Sequence, residues 1–303
     1  EEPLVNGASI PSYILAKEAS KNVKVLLSGE GGDEVFNAYE THGAYKWRKF
    51  YRSVTPAALR HAIEWSAHQL PVSCDKLSLE FKLKRFTKGA ELDIPASHFY
   101  WRHVFTDEQR KVLLQKANFK KTSSWFEDVF YQSQFDHDLN KISLIDIKYF
   151  FIADLMVKND RTFLAHSVEG RFPFMDRLLV DFVRTIPADM RMKGFQRRYI
   201  EKLAMKGVLP EKIRNRANFG LEMPHAHWLK KELKPFAEKY FNKKEVEKSG
   251  RLHWEQVEIL WKEHLANKQD HGRALWSILM FMIWFDLYVY NGDFRKYLRQ
   301  TLS

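Results

Sequence analysis

A single cysteine, Cys74, occurs in 303 residues, so no disulfide can form within this chain. A disulfide-stapled secreted scaffold is thereby excluded, a reducing compartment fits, and Cys74 is expected to be a packing residue. Clean membrane-spanning runs are also missing. The most apolar stretch, ALWSILMFMIWFDLYVY from Ala274 to Tyr290, is interrupted by Asp286. It is shorter than the ~20 apolar residues that a span requires. It reads instead as a helix buried on most sides. The opening EEPLVNGASIP is acidic and proline-bearing, unlike a secretory leader. These absences set the expectation of a cytoplasmic protein with no membrane partner. No repeat period is found, and no Ser/Gly-rich linker divides the chain.

Long blocks of one charge sign are absent as well. The net charge is +11, but stretches such as KLKRFTKGAE and KKELKPFAEKYFNKKEVEK interleave acids with bases. They read as solvated helix faces rather than a nucleic-acid patch. With 45% hydrophobic and 15% aromatic residues, the chain is not a disordered polymer and is long enough for one large core or two smaller ones.

Strand signals are scarce. SIPSYILAKEASKN predicts a helix, with Pro11 near its start. VKVLLS, residues 23–28, predicts a strand, and its apolar character suggests burial on both faces, as in a parallel sheet. From about Asp33 the pattern turns helical, with Val35, Phe36 and Tyr39 on one stripe. Beyond Tyr51 helices are expected around 56–70, 76–88, 107–116, 123–136, 143–165, 176–186, 197–207, 228–241, 254–267 and 273–290. The fold class is therefore α/β but mostly helical. A lone apolar strand needs neighbours for its edges and faces, so further strands are expected in a preceding segment or a partner subunit.

What is there is chemically pointed. LLSGEGGDE, Leu26 to Glu34, joins that strand to the next helix. Its glycines can turn backbone N–H groups inward as an anion nest, and Ser28 can donate another hydrogen bond. No Gly-Lys-Ser/Thr follows, so it is not a Walker loop. Three carboxylates, Glu30, Asp33 and Glu34, call for a cation, and Mg²⁺ bound together with substrate phosphates is the natural one. One carboxylate facing an amine nucleophile is an alternative. Simple capping of the next helix by Asp33 and Glu34 is another.

Two further clusters follow. LMVKNDRTFLAHSVEGRFPFMD carries Lys158, Asp160 and Arg161 late in a helix, then Glu169 and Arg171 among apolar neighbours. Buried charges are normally paired, so Glu169 and Arg171 each require an opposite charge, in a structural ion pair or a substrate contact. KGFQRRYIEKLAMKGVLPEKIRNR spaces Arg198, Lys202 and Lys206 four apart, a cationic helix stripe suited to phosphate or simply exposed to solvent.

In this order the three clusters resemble the synthetase domain of the glutamine-hydrolysing asparagine synthetase family. The matching residues read SGEGGDEVF, KNDRTFLAHSVEGRFPFMD and RRYIEKLAMKGVLPEKI. The EEP opening and the tryptophan-bearing LWSILMFMIWFDLY are similar to that family too, so the resemblance covers essentially the whole chain. It implies the back half of an adenine-nucleotide α-hydrolase-like, pyrophosphate-loop domain with a short parallel-strand remnant. Residues 1–55 would hold the strand–loop–helix of the nucleotide site and 56–142 a helical insertion. Residues 143–225 would supply the substrate and phosphate helices, and 226–303 the C-terminal helices.

The chemistry implied is activation of aspartate by ATP to β-aspartyl-AMP and Mg-pyrophosphate, then attack by ammonia to give asparagine. Ser28, Gly29, Gly31, Gly32 and Lys202 would contact the nucleotide. Glu30 would support adenylate formation beside Tyr39 and Arg198, Asp33 would hold Mg²⁺, and Glu169 with Arg171 would shape the substrate side. Ammonia would come from glutamine through a glutaminase domain not in this chain. The missing N-terminal half would act in cis or in trans, and a homodimer is compatible. Two departures stand out. The family's Ser-Gly-Gly-x-Asp-Ser pyrophosphate loop is absent. The family's lysine before the tyrosine is Arg198, which keeps the charge but cannot readily release a proton. The alternatives are a related β-lactam-type synthetase and a non-catalytic paralogue or partner subunit.

Overall fold

The computed structural model describes residues 2–73, 78–116, 119–216, 220, 221 and 223–290. Cys74 and the start of the helix expected at 76–88 lie outside the described residues.

A first helix, α1 (Ser9–Ala19), leads into strand β1 (Val25–Leu27) and the acidic loop. A single turn, α2 (Gly32–Val35), precedes α3 (Glu40–Val54). The helical stripe expected from Asp33 onward is thus broken. Asn37 takes a left-handed conformation, φ 54°, which asparagine tolerates better than most residues. Its buried side chain is held by Ser143 Oγ at 2.7 Å, so the break is locked.

Helices α4 (Ala57–His68), α5 (Leu79–Ala90), α6 (Ile94–Arg102), α7 (Asp107–Leu113) and α8 (Ser123–Gln132) follow. Local caps set two of these starts. Ser78 accepts from Phe81 N at α5, and Thr106 with Gln109 forms a capping box at α7. Helix α6 was not among the expected helices.

Next come α9 (Asp138–Ile145), a π-helical stretch from Asp146 to Met156, and α10 (Val157–Leu164). Strand β2 (Glu169–Arg171) closes the site-bearing half. It pairs parallel to β1, with Val25 opposite Glu169, Leu26 opposite Gly170 and Leu27 opposite Arg171. Gly170 has a steric reason. A Cβ there would lie 2.6 Å from the Phe163 ring, which packs close against the strand. Leu26 faces a small core of Ala16, Phe163 and Val168, from α1, α10 and the turn after it. Burial of β1 on both faces is not observed. Val25 is 48% and Leu27 73% exposed, because side chains alternate and only the Leu26 face is covered by helices.

The chain continues through α11 (Arg177–Thr185), α12 (Ala188–Arg191), α13 (Tyr199–Ala204) and α14 (Glu211–Arg214). The C-terminal layer is α15 (His225–Lys230), α16 (Lys234–Tyr240), α17 (Lys243–Lys248), α18 (Trp254–Leu265) and α19 (Gly272–Phe285), then a π-helical turn to Tyr290. Its core joins Leu229, Val246, Val257, Leu275, Ile278 and Leu279. By length and composition alone Gly272–Tyr290 could cross a membrane. In the fold, one stripe of α19 instead supplies this core, while Tyr288, Val289 and Tyr290 at its end are exposed. Helix α7 is tied to this layer by backbone bonds from His253 N to Leu113 O and from Gln115 N to Arg251 O. A second core, including Tyr45, Phe130, Leu139, Ile142 and Met192, joins α3, α8, α9 and the end of α12.

Candidate active site

The acidic loop follows β1 at its carboxyl end, where ligands bind in parallel α/β sheets. Ser28 N donates to Arg171 O at 2.8 Å, so the loop starts as an extension of the strand pairing. Ser28 Oγ then accepts from Glu30 N at 3.3 Å. Gly31 has φ 95°, a left-handed conformation that favours glycine. A Cβ there would also lie 2.4 Å from Met175. Gly32 packs beside the Phe174 ring, so the RFPFMD segment forms the floor of the loop. Gly29 differs, because the space where its Cβ would stand is open. The loop is therefore packed on one side and free on the other. The helix that follows has only four residues, too short to supply the expected helix-end field.

Glu30 is gripped from α10. Lys158 Nζ donates to Glu30 Oε1 at 2.8 Å, and Asn159 donates to Oε2. Lys158 is 1% exposed, so its ammonium is committed to this carboxylate. The sequence picked out Lys158 but gave it no role in the site. Asn159, its neighbour on the same buried turn, was missed altogether, and no charge marks it out. Both follow directly on the π-helical stretch, a deviation that often accompanies functional residues.

Asp33 pairs with Arg198, the N-cap of α13. This answers how the third cluster reaches the site, and it corrects the stripe reading. Helix α13 spans only six residues. Arg198 precedes it with φ 55°, Lys202 lies within it, and Lys206 lies beyond it in a bridge to Leu209. One continuous cationic helix face does not form, because the turn that aims Arg198 at Asp33 takes it off the helix. Glu201, one turn on, is raised by burial, and Arg198 opposes that rise.

Glu169 and Arg171 take one of the two arrangements expected of them, an ion pair, but at the surface rather than among buried neighbours. Both are exposed on β2 and pair with each other at 2.5 Å. They sit two residues apart on a strand, so their side chains share a face, and that face is the uncovered one.

Glu34 and Tyr39 form the inner layer. Glu34 is fully buried, and its Oε1 accepts from Tyr39 O–H at 2.5 Å. Burial raises its carboxyl to about 7 despite that bond. Tyr39 is itself pushed up, first by burial and then by the Glu34 charge, so it remains a phenol. The Arg102 guanidinium lies 4.4 Å from the centroid of the Tyr39 ring and 4.5 Å from that of Phe150. Behind it is fully buried Asp146, whose carboxylate accepts from Arg102 Nη2 at 3.0 Å. His42 and His98 ring nitrogens lie 2.9 and 2.6 Å from the same carboxylate. Burial opposes ionisation of Asp146, but Arg102 and the histidine bonds outweigh it and hold the group far below the usual range. Burial keeps His98 lowered and neutral. Spacing gave no hint of this cluster, since its members come from α3, α6 and the π-helical stretch.

A cation site made only of protein groups is not evident. Among the described residues no three His, Cys, Asp or Glu side chains converge for a metal. Asp33, paired with Arg198, would suit Mg²⁺ only with phosphate oxygens completing the shell.

Residues 1–286 match the sequence model of the family described as Asparagine synthase. "Asparagine synthetase [glutamine-hydrolyzing] 1" of Bacillus subtilis (strain 168) is 29% identical over 309 residues, covering 100% of this chain and 46% of that protein. A "Putative asparagine synthetase [glutamine-hydrolyzing]" of Mycobacterium bovis is 27% identical, covering 95% of this chain and 43% of that protein. "Amidase chyE" of Penicillium rubens is 23% identical over 83% of this chain and 39% of its own length. The chain thus spans less than half the length of these relatives. No solved structure matches it significantly. With three motifs meeting at one loop and a family match over nearly its whole length, the chain belongs to the asparagine synthase family.

Proposed function

We propose that this chain is the C-terminal part of an ATP-dependent amide-forming ligase of the asparagine synthetase type, in the adenine-nucleotide α-hydrolase-like class. The reaction would be adenylation of aspartate followed by ammonia attack, releasing AMP and pyrophosphate. The observation that carries this reading is the convergence at the acidic loop: Glu30 on Lys158 and Asn159, Asp33 on Arg198, and an open space at Gly29.

Each part has a chemical use. Gly29 and the Ser28 hydroxyl would meet the nucleotide on the open side of the loop, Gly31 and Gly32 would shape the loop for it from the packed side, and Lys202 would be a further cation. Glu30, fixed by two donors, is positioned to orient the reacting carboxylate or to accept from ammonia. Arg198 pairs with Asp33 and would swing to pyrophosphate, while Asp33 would hold Mg²⁺ with it. Bound there, Mg²⁺ would supply charge neutralisation of the phosphates. Tyr39 buttresses the loop from behind. Glu169 and Arg171 would meet substrate, or the part of the protein lying outside this chain. Among the described residues β1 pairs on one edge only, which leaves its other edge for further strands from that part; the glutaminase that would supply ammonia would also lie there. A cytoplasmic location is consistent with this chemistry.

The test is aspartate-dependent ATP–pyrophosphate exchange by the full-length protein. Exchange that requires aspartate and falls at least a hundredfold in Glu30→Ala supports the reading. Exchange undiminished in that variant removes Glu30 from the mechanism. A second reading, a non-catalytic paralogue or partner subunit, draws on Arg198 at the family's lysine position. If Arg198→Lys raises exchange from background, that reading holds for the natural chain.

A further inference from the structure

The proposed chemistry leaves one fully buried cluster of charged and titratable groups without a task. Asp146, His42 and His98 have essentially no solvent exposure, and Arg102 is only slightly exposed. Four groups from three elements meet here: His42 from α3, His98 and Arg102 from α6, and Asp146 at the first residue of the π-helical stretch. The two imidazoles stack with planes 6° apart, their centroids separated by 6.1 Å. Such a network stabilises little compared with an apolar core of the same shape, so its retention asks for another reason.

Geometry supplies one. Arg102 belongs to the helical insertion, yet it reaches the residue that caps α3 just after the acidic loop. Its guanidinium contacts two aromatic rings, Tyr39 and Phe150, and donates to both Asp146 and Thr41. A planar, permanently charged group held by a carboxylate and two ring faces has few alternative positions. The Tyr39 ring it meets is fixed at its other end by the O–H donated to Glu34. Glu34 follows Asp33 in α2, four residues after Glu30, and has no solvent exposure.

We propose that Arg102, pinned by Asp146, is a positioning residue. It sets Tyr39, through Tyr39 the buried Glu34, and so the orientation of the acidic loop that carries Glu30 and Asp33. The helical insertion is then more than packing around the site, because α6 would contribute the side chain that keeps the loop in its reactive shape. This inference rests on the proposed function for its kinetic arm and stands apart from it for its structural arm.

The structural arm is hydrogen exchange, read by mass spectrometry on peptides covering residues 26–39. Arg102→Met keeps much of the side-chain volume and removes the charge. Asp146→Asn keeps the shape and weakens the pin. Leu279→Ala, in the distant C-terminal layer, serves as the control for general loss of stability. Both site variants should speed loop exchange at least tenfold, with the control unchanged in that segment. Loop exchange equal to wild type in the folded Arg102→Met and Asp146→Asn proteins would overturn the proposal, whatever the reaction proves to be.

The kinetic arm uses ATP–pyrophosphate exchange by the full-length protein. Arg102→Met should lower kcat at least tenfold and change KM for ATP less than threefold, since the loop is misoriented rather than removed. Combining it with Tyr39→Phe should give a loss well short of the product of the two single effects, as expected for residues acting in series. Fully multiplicative losses would sever Arg102 from Tyr39 and defeat the proposed route. If wild type shows no exchange, the functional reading fails and the hydrogen-exchange result still decides the positioning role.

Discussion

Around the acidic loop the buried side chains include Glu34, Asn37, His42, Asp146, Lys158 and Asn159, whereas beside α19 they include Leu229, Val246, Val257, Leu275, Ile278 and Leu279. The two regions share one chain and a similar degree of enclosure. Their cores obey different physics. Burying an aliphatic side chain contributes about 1.5–3 kcal/mol with no demand on direction. Burying a carboxylate or ammonium is unfavourable until a partner of opposite charge arrives at the right distance and angle. The C-terminal layer is thus tolerant of small shifts, while the loop region is fixed by directed contacts. Directional constraint is concentrated around the loop, and undirected burial beside α19.

The sharpest way to break that contrast is to remove one directed contact. Asp146→Ala would leave Arg102 and two histidines without their shared carboxylate, and should destabilise the chain by about 3–5 kcal/mol. Urea unfolding followed by circular dichroism measures this. A loss under about 1 kcal/mol would mean that water or a neighbour readily replaces the carboxylate. Leu279→Ala, at a site that is 1% exposed, should cost a similar or slightly smaller amount, about 3 kcal/mol, from lost burial and a residual cavity. It should leave nucleotide binding by the full-length protein unchanged. If binding weakened in proportion to stability, the division between the two regions would be wrong.

The regions should also differ in their response to pH. Burial raises Glu34 from an ordinary value of 4.5 to about 7. Between these values the folded state holds a proton that the unfolded chain has released. Stability from this group is therefore present below pH 4.5 and is lost as pH rises through about 7. The full rise corresponds to ~3 kcal/mol. Glu34→Gln should remove this fall, so the wild-type minus variant difference in unfolding free energy should decline between pH 5 and pH 8. A constant difference would place the Glu34 carboxyl near its ordinary value. On the C-terminal side, the comparable small effect is a cap. Thr106→Ala breaks the capping box of α7 and should cost about 1 kcal/mol, unchanged between pH 5 and pH 8, visible as a shift in urea midpoint.

The contrast also explains what was legible in the sequence. Aliphatic periodicity is written locally, so α18, α19 and most of the insertion helices lie where the pattern predicts them. The strand at residues 25–27 and the acidic loop were legible because glycines and a β-branched run sit next to each other. Partnerships across the chain were not. Nothing near Glu30 announces Lys158, 128 residues away, and nothing near Tyr39 announces Arg102 or Asp146. Strand β2 was hidden because Glu-Gly-Arg has no strand character, and only pairing with β1 makes it one. The misread exposure of Val25 and Leu27 has the same origin. An apolar residue tells what it could bury against, and the cover on that face is not in the described residues. Arg198 was assigned to the site by resemblance, and the fold pairs it with Asp33. The left-handed turn that delivers it to Asp33 has no signature in RRYIEK.

Glu169 and Arg171 give the comparison its finest test, because they belong to the site half yet behave like surface residues. Their side chains are 54% and 64% exposed, and they pair with each other across one face of β2. An exposed pair of this kind contributes 0–1 kcal/mol, so Glu169→Gln should shift unfolding by less than about 0.5 kcal/mol. Structure-keeping thus makes almost no claim on Glu169. Any larger consequence must come from something that approaches this face during function. If Glu169→Gln lowers aspartate-dependent exchange by tenfold or more at unchanged stability, the uncovered face of β2 is part of the substrate side. Full activity would return the pair to the surface and confine the working site to the acidic loop, α10 and Arg198.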